Sequence, residues 1–331
     1  MSAQAEAAGV RRGAGLFRLP DRGLLQVEGG DRERWLDGMV SNDVTALADG
    51  PELSGCYALL LTRQGRIVAD FHVLLRGECY WLETSGQGLP KAAETLERFI
   101  IADDVRLRNV SDEFERLALE GPAAAAVVDA VLGRELVLGD EACAEVELAG
   151  VTVVVAAFGW SGAPARQLFV PAGQGAATAA ALCEAGAALG LLEASRAALE
   201  ILRVEAGVPL LGSDLDEEVL PAEARLSRAV STTKGCYTGQ EVVARMHSRQ
   251  RVGHLLVGLR VDGGEPLQPG AEIAAGGRKL GEVTSSCLSP TEGPIALGYV
   301  RAAEAEPGTR VQVGGREAQV AALPFPAASA A

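Results

Sequence analysis

The chain has 331 residues, 48% of them hydrophobic and 22% charged, with 30 Lys and Arg against 44 Asp and Glu for a formal net charge of −14. That length suits two domains, or one split domain with a smaller companion, and the composition excludes a disordered chain. The acidic balance excludes a general coat for nucleic acid or anionic membrane but leaves room for a local basic patch.

Residues 1–13 are Ala-rich and read as a frayed end. Asp31 is placed to cap a helix over RERWLDGMV, whose Trp35, Leu36, Met39 and Val40 share one face. The segment 56–75 reads as a hairpin turning at Arg63-Gln64-Gly65-Arg66, with a third strand in ECYWLETS, 78–85. Helical spacing follows at Ala93, Leu96, Phe99 and Ile100. A strand over 114–121 precedes Pro122, which opens a helix in AAAAVVDAVLG because a first helical residue tolerates the missing N–H. VTVVVAAF and RQLFVP predict strands; AATAAALCEAGAALG and ASRAALEILRVEAG predict helices, the second stopping at Gly207. Hairpins mixed with helices, without strict strand–helix alternation, predict an α+β fold. Beyond Arg251, short alternating strands punctuated by GG, PG and SP predict a small all-β barrel or sandwich, and PFPAASAA a disordered tail.

Six cysteines (Cys56, Cys79, Cys143, Cys183, Cys236, Cys287) and three histidines are too dispersed for a metal cage or a disulfide framework. The first ten residues lack a secretory pattern. The most apolar run, VTVVVAAFGW (151–160), is too short to cross a bilayer. The expectation is a soluble cytoplasmic protein with reduced thiols and no membrane contact.

The segment STTKGCYTGQEVVARMHSRQR, 231–251, carries the most chemistry. Thr238 and Glu241 fit a capping box at the start of a helix. Cys236 then lies just before a positive helix end, between Gly235 and Gly239 and near Lys234, a setting that favours thiolate. From Arg225 to Arg251 six bases face Glu241 alone, a local excess of +5 that predicts an anion site, for a carboxylate-tailed cofactor or RNA phosphate. Asp70 interrupts an apolar strand, and Glu205 sits in a helix's last turn, where its charge opposes the macrodipole. Both are candidate ligand-facing carboxylates, able to bind adjacent ring N–H and amino groups.

At KGCYTGQE, 234–241, the chain resembles the YgfZ family, folate-binding proteins related to the T-protein (aminomethyltransferase) of the glycine cleavage system. SNDV, LTRQGRIVADF, LEGPAA, RVEAGVPLLGSDLD, LPAE and ALGYV extend the likeness over most of the chain. The resemblance implies a ring-like arrangement of split folate-binding domains over 14–248, dividing near 115, then a β-barrel over 249–325 and a tail over 326–331. In T-proteins a Glu of the RLEAG segment and a base 29 positions later bind the folate; here these positions are Glu205 and Lys234. The resemblance thus implies tetrahydrofolate held by Glu205 and Lys234, Asp70 polarising its reactive centre, and Cys236 as nucleophile or transient sulfur or iron ligand. Two departures stand out. T-proteins carry an Asp-Asp pair where this chain has Ala69-Asp70, and a Tyr-bearing tail that PFPAASAA lacks. The implied role is accessory: support of iron–sulfur cluster assembly or repair, and through iron–sulfur enzymes tRNA methylthiolation, with direct RNA contact left open. The alternatives are a folate-dependent aminomethyl- or methyltransferase and a non-catalytic adaptor for iron–sulfur enzymes.

Overall fold

The computed structural model describes residues 1–48, 50, 54–249 and 252–325. In chain order these form α1 (Ala3–Arg12), β1 (Ala14–Arg18), β2 (Arg22–Glu28), α2 (Arg32–Met39), β3 (Gly55–Leu61), β4 (Ile67–Arg76), β5 (Cys79–Ser85), α3 (Leu89–Glu97) and β6 (Arg106–Asn109). There follow β7 (Phe114–Glu120), α4 (Ala124–Leu132), β8 (Cys143–Leu148), β9 (Val151–Ala156), β10 (Ala165–Pro171), α5 (Gly175–Gly186), β11 (Leu191–Glu193), α6 (Arg196–Ala206) and α7 (Gln240–Arg249). The last part is β12 (His254–Val261), β13 (Glu272–Ala275), β14 (Arg278–Ser289), β15 (Gly293–Arg301), β16 (Arg310–Val313) and β17 (Arg316–Ala321).

Three units result: a five-stranded sheet β3-β4-β5-β2-β6, a six-stranded sheet β11-β1-β7-β10-β9-β8, and a closed barrel β12-β15-β14-β13-β16-β17. The expected α+β class with a terminal barrel is what the chain adopts. Alternation along the strands decides what each sheet buries. In the five-stranded sheet Ala58, Leu60, Ala69, Phe71 and Leu82 face Trp35 and Leu36 of α2 and Leu89 and Leu96 of α3. The intervening residues, Tyr57, Asp70, His72 and Glu83, therefore share the opposite face, and His72 pairs with Tyr57 on one side and Glu83 on the other. The six-stranded sheet packs Leu117, Leu119, Val155 and Leu168 under α4 and α5. Its other face, with Ala118, Val154 and Phe169, joins a core that also takes Trp81, residues of α1 and α6, and Leu256 and Ile295 of the barrel. All three units meet in that core.

Two local expectations are corrected. Residues 3–12 form a helix: the Ser2 side chain accepts from Ala5 N, and Ala7 and Val10 are fully buried. Tertiary packing against α6 supplies what the Ala-rich sequence could not display locally. Asp31 does stand at the α2 N-cap, yet its carboxylate accepts from Asp104 N and caps no helical N–H. Gly207 ends α6 with φ +68, and a Cβ there would come within 2.9 Å of Leu323. Among the described residues no helix is long and apolar enough to cross a membrane. The tail expected to be disordered, 326–331, lies outside the described residues.

Candidate functional site

The polar face of the five-stranded sheet meets two loops of the six-stranded sheet, around residues 139–142 and 157–163. On β4, Asp70 and His72 are two apart and share this face. Tyr57 donates its phenol proton to Asp70 Oδ2 at 2.9 Å. Burial pushes the Tyr57 hydroxyl well above its usual range, and the Asp70 charge adds to the effect, so it stays a donor. The His72 ring stacks on Phe158 with centroids 3.7 Å apart, and its Nδ1 lies 2.5 Å from Glu141 Oε2. The other oxygen of Glu141 accepts from Arg228 at 3.0 Å, and that guanidinium lies over the Tyr57 ring. Glu141 holds φ +61, uncommon for a non-glycine residue. Its carbonyl so crowds Gly55 that a Cβ there would come within 2.0 Å. The two sheets and the segment carrying Arg228 are thus tied through one carboxylate.

Beneath this chain, Glu83 is fully buried and bridges two guanidiniums: Arg22 binds it bidentately at 2.6 and 2.8 Å, and Arg116 at 3.0 Å. Burial alone would raise the Glu83 pKa, but Arg22 and Arg116 outweigh it and hold the carboxyl at about 2. Arg116 shares the carboxylate with Arg22 and stacks on Phe169; burial pushes it down to about 10.

Two clefts flank the aromatic segment Phe158–Trp160. One, of about 310 Å³, is lined by Arg22, Trp160, Arg196, Glu200 and Arg203. The other, of about 520 Å³, is lined by Asp140, Glu141, Phe158, Val208 and Arg228. Aromatic walls beside a carboxylate and guanidiniums suit a flat, hydrogen-bonding heterocycle with an anionic tail. On that chemistry the residues fit a folate.

Of the residues expected from sequence, Asp70 stands in this seam. Glu205 is buried, but its carboxylate accepts from Ser289 Oγ at 2.5 Å and pairs with Arg11 of α1, facing the barrel. The Lys234 ammonium is enclosed at the end of α2, donating to the carbonyls of Asp37, Val40 and Asn42 at 2.5, 3.0 and 2.8 Å and pairing with Asp37 Oδ1 at 2.8 Å. It satisfies the Asp37 carbonyl in the last turn of α2 and two carbonyls just beyond it, where the dipole favours a cation. Glu205 and Lys234 share no partner, and neither of them, nor Asp70, lines the two clefts. Cys236 is exposed in a separate, broad cleft of about 570 Å³ with Gly38, Arg63, Phe99 and Gln240.

The capping box does not form. The helix begins at Gln240, Gly239 takes φ +85 with its Cα packed against the β3–β4 turn, and Glu241 pairs with Arg245 instead. Lys234 is paired with Asp37. The basic stretch is similarly dispersed: Arg225 donates to Leu256 O, Arg228 binds Glu141 and Arg245 binds Glu241. Gln250 and Arg251, and the side chain of Arg249, lie outside the described residues. Among the described residues no cluster of His, Cys, Asp and Glu could hold a metal ion.

Sequence reasoning missed Tyr57, His72, Glu83, Glu141 and Trp160, and had Arg228 only as one base of the stretch 225–251. His72 had a local signal, since with Asp70 it alternates against the apolar residues of IVADFHVLL. Glu141 had none; its partners are 69 and 87 residues away.

Comparison with known proteins accords with this architecture. Residues 1–234 match the GCVT N-terminal domain and 235–326 the glycine cleavage T-protein C-terminal barrel domain. An aminomethyltransferase of Saccharopolyspora erythraea is 32% identical over 97% of this chain and 89% of its own, and one of Rubrobacter xylanophilus 32% identical over 98% and 85%. The crystal structure of glycine cleavage system aminomethyltransferase T from Bartonella henselae superposes with a TM-score of 0.86 at 26% identity, covering 98% of this chain and 90% of that one. With both family domains in order and full-length relatives above 30% identity, the chain belongs to the glycine cleavage T-protein family.

Proposed function

We propose that this protein binds tetrahydrofolate in the seam and handles the one-carbon unit that cofactor carries. The observation that carries the reading is Trp160 with Glu200 and Arg22 beside it in the 310 Å³ cleft, near the Asp70–Tyr57 pair on the polar face of the five-stranded sheet. A bound reduced folate would supply the ring nitrogen that accepts one-carbon groups. Trp160 would form the wall against its ring, and Glu200 would accept from its N–H groups. Asp70, oriented by the Tyr57 hydroxyl, would hold negative charge beside a cationic centre. The role expected of Lys234 requires its ammonium to leave its present partners.

The names of the full-length relatives support aminomethyl transfer as the finer form of this reading. Asp70 is then its single acid, because Ala69 stands beside it. Replacing Asp70 by Asn is expected to lower aminomethyl turnover about 100-fold while leaving tetrahydrofolate affinity within a few-fold.

The exposed Cys236 within KGCYTGQE favours a second form, the YgfZ-type accessory role in iron–sulfur assembly or repair and tRNA methylthiolation. Its test is complementation of a deletion strain. The accessory form expects iron–sulfur enzyme activity to return with the parent and not with Cys236→Ser, and no aminomethyl turnover by the purified protein. Equal rescue by Cys236→Ser removes the thiol from the mechanism, and turnover unaffected by that substitution supports the transferase.

A further inference from the structure

We propose that Glu120 is a positioning residue that holds the aromatic wall of the seam and makes ligand binding there pH-dependent. The inference rests on the folate reading above. Glu120 ends β7 and is fully buried. Its Oε1 accepts from Trp160 N at 3.1 Å, and its Oε2 from Ser161 N at 3.1 Å and Ser161 Oγ at 2.5 Å. Gly159 packs so closely on the carboxylate that a Cβ there would lie 2.6 Å from Oε1 and 2.3 Å from Ala165 Cβ. Gln167, on the neighbouring strand, donates to Phe158 O at 3.1 Å. The backbone of 158–161 is therefore set by one buried carboxylate and its neighbours, and this segment carries Trp160, the aromatic wall of one cleft, and Phe158, that of the other.

Four donors on two oxygens, Gln167 Nε2 at 3.5 Å from Oε1 being the fourth, call for the ionised form. A protonated carboxyl carries its own hydrogen and cannot serve all of them, so protonation releases part of the wall. Burial pushes the Glu120 pKa up to about 7, against the pull of those hydrogen bonds and of His72. Among the elements packed on Glu120, β1 presents Gly15 and β10 presents Ala165 and Gln167; His72 is the titratable group that acts on it.

If only the ionised form presents the wall, the competent fraction falls to about one tenth at pH 6, and tetrahydrofolate Kd rises about tenfold between pH 8 and pH 6. Calorimetric titration of the full chain with tetrahydrofolate at pH 6, 7 and 8 tests this, beside Glu120→Gln and Ser161→Ala. The expected result is a Kd that rises on acidification in the parent and stays flat in Glu120→Gln. Ser161→Ala, which removes a donor favouring the ionised form, is expected to move the midpoint to higher pH, and it serves if Glu120→Gln does not fold. A flat parent profile with tetrahydrofolate still bound overturns the inference alone. So does a pH dependence that persists in Glu120→Gln, which assigns it to His72, or an unmoved midpoint in Ser161→Ala. Absence of binding at every pH overturns the folate reading with it.

Discussion

Replacing Lys234 by Met is expected to destabilise the fold by about 3–5 kcal/mol, as removal of one partner from a buried ion pair typically does. The Lys234 side chain is 1% exposed and answers three carbonyls at the end of α2 as well as Asp37. Without the ammonium those carbonyls and the Asp37 charge lose their partner, and an apolar side chain of similar length offers no hydrogen bond in return. Urea denaturation of parent and variant measures the loss. Near-parental stability combined with a loss of tetrahydrofolate affinity would instead identify Lys234 as a ligand-binding base, the role expected from its spacing to Glu205.

The second large effect is at Glu83. Changing it to Gln leaves Arg22 and Arg116 buried without their shared counter-charge and is expected to cost about 3–5 kcal/mol. The pH dependence follows from the direction of the shift. A carboxyl held at about 2 in the fold, below its ordinary value, contributes stability that is complete above the ordinary carboxylate range. That contribution, of order 3 kcal/mol, is lost as pH falls toward 2. Unfolding free energies measured from pH 6 down to pH 2 should therefore decline more steeply in the parent than in Glu83→Gln. Parallel curves would mean that the two guanidiniums do not depend on this carboxylate.

What was legible in the sequence was what local pattern encodes. The hairpin about Gly65, the stop of α6 at Gly207 and the alternating strands of the barrel all follow from turn chemistry and strand periodicity. Helix α1 was not legible, because two small apolar residues, Ala7 and Val10, show their worth only when α6 covers them. The capping box failed for a related reason: Gly239 adopts a left-handed conformation to pack on the β3–β4 turn, which Thr238 and Glu241 could not announce. At the site, Asp70 was found because an acid in an apolar strand is conspicuous. The fates of Glu205 and Lys234 were decided by Arg11 and by the end of α2, segments remote in sequence from both. Two bases of the positive stretch, Arg228 and Lys234, likewise find acids remote in sequence, Glu141 and Asp37.

We place tetrahydrofolate, as proposed above, in the seam between the two sheets. Titration of the purified protein with tetrahydrofolate at pH 8, for the parent and for Trp160→Ala, tests it most directly. Removing the indole takes away one wall of the 310 Å³ cleft, and loss of an aromatic stacking partner is expected to weaken binding by about 1–3 kcal/mol, tenfold or more. Binding that is unchanged in a folded Trp160→Ala variant would contradict the account and place the ligand elsewhere.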